Sequence, residues 1–274
     1  MRTRPYFFRK VAGIGLVVVY LFPIYWMITA TVKTQEAIRA VPPQIVPLSW
    51  DLSSWTDRIF GDPRVMRYIM NSFIVATGTM VLTLALATPA AYALARLRLK
   101  GKSLLMILSL ASLMFPAIML ATPLFVIFNR LGLTDSYLGL ILADTSLALP
   151  YAIVLLRPTF ARIPADFAEA AQIDGAGVFG AFWRVVLPIA RPGLATVGVL
   201  SFLWGWGDLV FALTLATEDR MRPVTTGLWG FFGANTSDWG GAMAFSTLAM
   251  LPPLLVFLWS QRLVVAGVAA GGLK

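Results

Sequence analysis

Cysteine and histidine are both absent from the 274 residues of this chain. Their absence removes disulfides, thiolate nucleophiles, the usual zinc sites and every acid–base scheme built on imidazole. Charge is scarce as well: Asp, Glu, Lys and Arg make up 13% of the residues, where a soluble domain carries about 25%. Apolar residues stand in their place at 58% of the chain. That balance excludes a water-soluble globule. It also excludes a disordered chain, whose solvation needs the polar surface missing here. What is left is an integral membrane protein that works through shape, partners and a few carboxylates.

Six segments are long enough to cross ~30 Å of hydrocarbon, which takes a helix of about 20 residues. They run 11–32, 72–95, 104–128, 136–156, 193–217 and 242–261, with Asp144 the one charge in the fourth and Asp208 the one charge in the fifth. In lipid every backbone amide needs an internal partner, so these runs are expected as helices. The expected fold class is therefore all-α, integral to the membrane, with six transmembrane helices in a single domain over residues 1–274. The run 11–32 is too long for a signal-peptide core and reads as an anchoring first span.

Charge asymmetry orients the spans. Residues 1–10, 96–102, 157–192 and 262–274 together hold 14 Lys and Arg against three acids, while the intervening loops on the other side hold eight of each. Lys and Arg collect on the cytoplasmic side, so both termini are expected there. The net charge of +9 is thus read as membrane topology, with no nucleic-acid partner. Gly101-Lys102-Ser103 imitates the end of a phosphate loop, but Arg96 stands where its first glycine is required. The reading there is a basic turn, with no ATP bound by this chain.

The loop 157–192 is far longer than a connection needs. It contains Pro164, Asp166 and Glu169 ahead of Gly175. Proline and acids suit a first helical turn and glycine suits the residue past the last one. A short helix from about Pro164 to Asp174 is expected, then a second from about Val178 to Leu187, stopped by Pro188 and Pro192. With no lipid to sit in, such a helix is expected to dock on a protein, and Ala168, Ala170 and Ala171 keep its profile thin.

The run Glu169-Ala170-Ala171-Gln172-Ile173-Asp174-Gly175-Ala176, with Phe182, Leu187, Pro188 and Pro192 after it, resembles the EAA loop of binding-protein-dependent ABC importer permeases. Asn71-Ser72, Ala90 to Arg96, Gly101-Lys102, Phe115-Pro116, Pro123-Leu124, Gln261-Arg262 and Ala266-Gly267 resemble the maltose-type carbohydrate permeases among them. The resemblance implies the type I ABC importer permease fold, in a bacterial cytoplasmic membrane. Glu169, Ala170, Ala171, Asp174 and Gly175 would then form a coupling helix seated in a separate ATPase subunit. It further implies a second homologous permease, two ATPase subunits that bind ATP and magnesium, an extracytoplasmic solute-binding protein and a sugar. The chain itself would be non-catalytic, with no cofactor or metal of its own.

An acid near mid-bilayer costs roughly 2.5–3.5 kcal/mol and so faces protein or an aqueous cavity. Asp144 lies eight residues past Ser136 and Asp208 eight before Ala216. At about 1.5 Å per residue, both sit roughly 12 Å below the outer interface, where they can share a cavity. Trp204, Trp206 and Phe211 surround Asp208, and indole faces beside a carboxylate suit a sugar. These five residues are the expected substrate pathway. Two roles stay open for Asp208, pathway lining or a hydrogen bond to the partner permease. Asp144, where the resemblance implies an uncharged residue, would bind hydroxyls or a cationic group such as an amino sugar's ammonium.

Two other classes compete. An ion-coupled secondary transporter would use the two aspartates as proton or cation sites, although the EAA loop and the lack of an internal repeat oppose it. A membrane scaffold would not need paired acids at one depth. Another polar solute, such as a glycerol phosphate ester, would want basic residues inside the spans, and none lies there. The prolines within the runs, such as Pro23, Pro89, Pro150 and Pro252, are expected as kinks. Loop 33–71 is expected as an extended lead into a short surface helix.

Overall fold

The computed structural model describes residues 4–232 and 237–272. Helices dominate among them, with one isolated antiparallel bridge between Phe232 and Ser237. The main elements are α1 (Arg4–Ala30), α2 (Gln35–Ile38), α3 (Pro63–Arg96), α4 (Lys102–Ser112), α5 (Ala117–Arg130) and α6 (Tyr137–Arg162). They continue with α7 (Asp166–Ile173), α8 (Val178–Ile189), α9 (Arg191–Gly207), α10 (Val210–Leu215) and α11 (Trp239–Gly272). The α1, α3, α6 and α11 helices are each long and apolar enough to cross a membrane, and two bent pairs bring the number of crossings to six if each pair is one span.

Those two pairs depart from continuous spans by more than a proline kink. The span expected over 104–128 is α4 and α5, bent by 98°. The bend falls at Phe115-Pro116, where proline has no N–H to donate and pushes the residue before it out of helical geometry. The span expected over 193–217 ends at Gly207, resumes at Val210, and is preceded by α8 at an angle of 76°. Pro188 does not stop α8. The helix widens just before it, with Leu187 N–H donating to the Phe182 carbonyl, and this accommodates a residue that cannot donate. The chain turns instead at Ala190, and Pro192 occupies the first turn of α9.

Two compact units divide the chain. The first comprises 1–67 and 227–251. Within it the expected loop is irregular between α2 and a single wide helical turn, Ser54–Phe60. Asp238 accepts from Gly241 N–H at 2.9 Å, capping α11, takes a hydrogen bond from Gln35 Nε2 at 2.6 Å, and pairs with Arg58 at 3.0 Å. The α3 helix starts at Pro63, earlier than the expected 72, because Asp62 accepts from Arg64 N–H at 2.9 Å and fixes the first turn. The Arg64 side chain, hydrogen-bonded to Asp62, holds that carboxyl below the usual carboxylate range.

The second unit comprises 68–226 and 252–274. Two apolar clusters hold it. One joins Ala87 and Ala91 of α3, Ala152, Leu156 and Phe160 of α6, Phe182 and Val186 of α8, and Val197 of α9. The other joins Val75, Phe128, Leu140, Ala143, Phe211 and Leu215. Small residues let the backbones approach. A methyl on Gly205 would lie 3.1 Å from the Ala76 Cα, and one on Gly78 would meet the Ile141 side chain at 2.3 Å. Such small-residue contacts drive helix association where lipid removes the hydrophobic incentive.

Candidate functional site

The α7 helix carries the expected coupling residues. It opens without a side-chain cap, but Asp166 and Glu169 stand in its first turn, where the helix dipole favours negative charge. It closes on Gly175, whose φ of +88° is a left-handed conformation natural to glycine. There Gly175 N–H donates to the Gln172 carbonyl at 3.1 Å and Ala176 N–H to the Ala171 carbonyl at 2.9 Å. These two bonds satisfy the orphan carbonyls in a Schellman closure. The observed helix, Asp166–Ile173, is shorter at its start than expected. Ala168 packs towards the inner cluster, whereas Glu169, Ala170, Asp174 and Gly175 are exposed and Ala171 is half-buried. Beside them Ile173 is 86% exposed and Phe179 82% exposed.

The expected pathway residues separate into two groups. Asp208 sits at the break between α9 and α10, half-buried, and its carboxylate accepts from Phe211 N–H at 3.3 Å and Ala212 N–H at 2.8 Å. Its side chain thus caps the first turn of α10 from the residue before the N-cap Leu209, a role not considered from the sequence. Thr225 locks the same residue by donating to its carbonyl at 2.6 Å. Trp204 is exposed and Gly207 beside Asp208 is exposed too. Trp206, in contrast, is buried and stacked on Phe202 with ring centres 5.8 Å apart, and Phe211 is fully enclosed.

Asp144 is enclosed as well, 1% exposed. Thr79 flanks its carboxyl, and Asp208 is close enough to act on it electrostatically.

Sequence reading missed residues that tie the ends of these helices to the segment 217–224. Asn71 donates to the carbonyls of Arg220 and Arg222, each at 2.9 Å, and accepts from the Tyr137 hydroxyl at 2.8 Å. Ser72 accepts from Val224 N–H at 2.8 Å. Asp135, at φ +51°, accepts from Thr217 at 2.6 Å and from Glu218 N–H at 2.7 Å. The signal for the first two was present, since Asn71-Ser72 was part of the resemblance. Asp135 gave none beyond its tolerance of left-handed backbone.

Among the described residues no group of three or more acids suits a metal ion of the coordination-site kind.

Residues 84–270 match the family described as binding-protein-dependent transport system inner membrane components. The chain is 34% identical over 266 residues to the sulfoquinovosyl glycerol transport system permease protein of Agrobacterium fabrum, covering 97% of this chain and 93% of the relative. It is 35% identical over 262 residues to the trehalose transport system permease protein of Mycobacterium tuberculosis, covering 94% of each. Its fold is similar to that of a chain from a bacterial ABC transporter involved in the import of the acidic polysaccharide alginate. The TM-score is 0.81, with 23% identity, over 96% of this chain and 98% of that one. A helical membrane chain with two bent spans, a short exposed helix closed by Gly175, and this match over most of its length belongs to the binding-protein-dependent transport system inner membrane components.

Proposed function

We propose that this chain is the permease subunit of an ABC transporter that imports a sugar or oligosaccharide across the cytoplasmic membrane. The observation that carries the reading is α7: a short, exposed helix between two spans, closed by a left-handed glycine, in a chain of this family. Two relatives over nearly their whole length are permeases for sugar derivatives, a trehalose and a sulfoquinovosyl glycerol system. Both termini lie in the cytoplasm in this reading, following the excess of Lys and Arg on that side. The chain is non-catalytic. A second permease completes the pathway, two ATPase subunits bind ATP and magnesium, and a solute-binding protein delivers the sugar from outside.

Glu169, Ala170, Ala171, Asp174 and Gly175 seat the helix in an ATPase subunit. At the pathway, Trp204 supplies an indole face to the sugar ring beside the Asp208 break. Asp144, Trp206 and Phe211 stand behind that wall and hold its shape. A neutral substrate fits the six apolar runs read from the sequence, which contain no basic side chain.

Purification of the chain from native membranes in mild detergent tests the reading. An ATPase and a second permease should remain bound; a chain that emerges alone overturns it. Uptake kinetics test the pathway. Trp204→Ala should raise the KM for transport roughly tenfold, the loss of one stacking contact worth about 1.4 kcal/mol, with normal amounts of protein in the membrane. An unchanged KM would remove Trp204 from the pathway.

A further inference from the structure

Between the two apolar clusters of the second unit lies a polar layer. Thr79 and Thr83 lie one turn apart on α3, Asp144 and Thr145 are adjacent on α6, and Ser201 lies one turn before Gly205 on α9. Exposure is 0% for Thr79 and Thr83, 1% for Asp144 and Ser201, and 4% for Thr145. Helix register brings them to one level. A methyl on Gly205 would lie 3.1 Å from Thr79 Oγ1, one on Gly198 would lie 3.1 Å from the Leu84 side chain, and one on Gly78 would run into Ile141. Ser201 falls between Gly198 and Gly205 on the same face of α9, and Asp144 is less than one turn beyond Ile141 on α6.

What distinguishes these groups is that none of them makes a hydrogen bond of ordinary length, although Thr79 faces the Asp144 carboxyl. Asp144 Oδ1 and the hydroxyls of Thr79, Thr83, Thr145 and Ser201 are all buried without a hydrogen bond. Other helical hydroxyls in the chain behave differently. Ser109, Ser146, Thr196, Thr214, Thr247 and Ser260 each donate to a carbonyl three or four residues back. Back-bonding is the default for Ser and Thr in a membrane helix, and the four hydroxyls of the layer forgo it together.

The electrostatics favour a cation there. None of the chain's ion pairs among the described residues involves Asp144. The nearby charge that acts on it is a second carboxylate, Asp208. The α9 helix ends at Gly207, so the negative end of its dipole lies within a turn of Gly205, the residue packed on Thr79. A water molecule would satisfy hydroxyls but leave the carboxylate's charge. A proton would neutralise the acid but leave the hydroxyls. One hard cation answers both, and broken membrane helices use such C-terminal ends to hold sodium.

We propose that this layer binds one alkali cation of sodium's size, ligated by Asp144 Oδ1 and by the hydroxyls of Thr79, Thr83, Thr145 and Ser201. Every ligand is closed off from solvent, so the cation is a resident of the helix packing and not cargo. The site is independent of which solute the permease carries.

The test uses the chain in whatever complex it is purified with. Thermal unfolding is followed in sodium, potassium and choline chlorides at equal ionic strength, together with retention of radioactive sodium. Sodium should raise the midpoint saturably above choline and above potassium. Thr83→Val, which keeps the shape and the charge, should weaken sodium affinity by roughly tenfold or more. Asp144→Asn should abolish the sodium dependence; if that variant does not accumulate, Thr83→Val decides. Midpoints equal in sodium and choline with no retained sodium, or potassium as effective as sodium, overturn the proposal.

Discussion

Replacing Gly175 with valine is expected to abolish ATP-driven uptake while leaving the chain in the membrane. At φ +88° a β-branched residue meets strain of roughly 1–2 kcal/mol. Relief of that strain opens the two bonds that close α7. Nothing lies within 4 Å of the position a side chain would take, so the defect is one of backbone torsion and not of packing. Strain of that size lowers the population of correctly closed helix by about tenfold, at the place where the ATPase is proposed to grip. Gly175→Asn should retain most uptake, since asparagine tolerates this conformation. Gly177→Ala provides a control, for Gly177 has φ −63° and open space around it. Full uptake by the valine variant would remove the closure of α7 from the coupling mechanism.

Gly139→Ala carries the largest expected cost in stability. A methyl at Gly139 would sit 2.0 Å from the backbone oxygen of Leu133. That oxygen cannot swing aside cheaply. It accepts from the Ser136 hydroxyl at 2.7 Å, and the same hydroxyl caps α6 by accepting from Gly139 N–H at 3.0 Å. Making room for the methyl pulls the cap apart as well as the turn. Overpacking and a lost cap together amount to about 3 kcal/mol. The measurement is the thermal unfolding midpoint in detergent, which should fall by several degrees, with less protein recovered from membranes. A variant as stable as the parent would mean that the turn before α6 is softer than its hydrogen bonds indicate.

The sequence was most informative where one local rule decides the outcome. Ser136 announces the start of α6 because a hydroxyl there has no better use than the N–H of Gly139. Gly175 announces the end of α7 because left-handed backbone is otherwise costly. The helical, membrane-embedded class followed from the scarcity of charge together with six apolar runs of about 20 residues. Hydropathy was silent about the break at Phe115-Pro116, which is as apolar as its surroundings, and at Gly207-Asp208 it showed a charge without showing a break. Proline and glycine were visible at both places, but each is also tolerated inside intact membrane helices, as Pro123 is inside α5. Asp208 was legible as an intramembrane acid and illegible as a cap, because the cap exists only once the helix has broken. Trp206 and Phe211 show a similar limit. An aromatic next to an acid looks the same in sequence whether it faces a pathway or a core, and only tertiary packing decides between them. The unpartnered hydroxyls were the least legible, because a threonine in an apolar helix ordinarily bonds to its own backbone.

The bend between α8 and α9 has a mechanical meaning. Two rigid arms meeting at 76° form a bell crank, which turns a sideways pull on one arm into a thrust along the other. The pivot is stiff: at Gly193, just past the corner, a methyl would lie 2.6 Å from the Thr159 side chain, and Phe182 of the first arm nests against Tyr92 with ring centres 4.7 Å apart. The output arm ends at Asp208, where the backbone ladder is interrupted. A displacement delivered near α7 would thus arrive as rotation of the α9 tip, and would stop there without passing to α10. The stroke would be spent at the depth of Trp204.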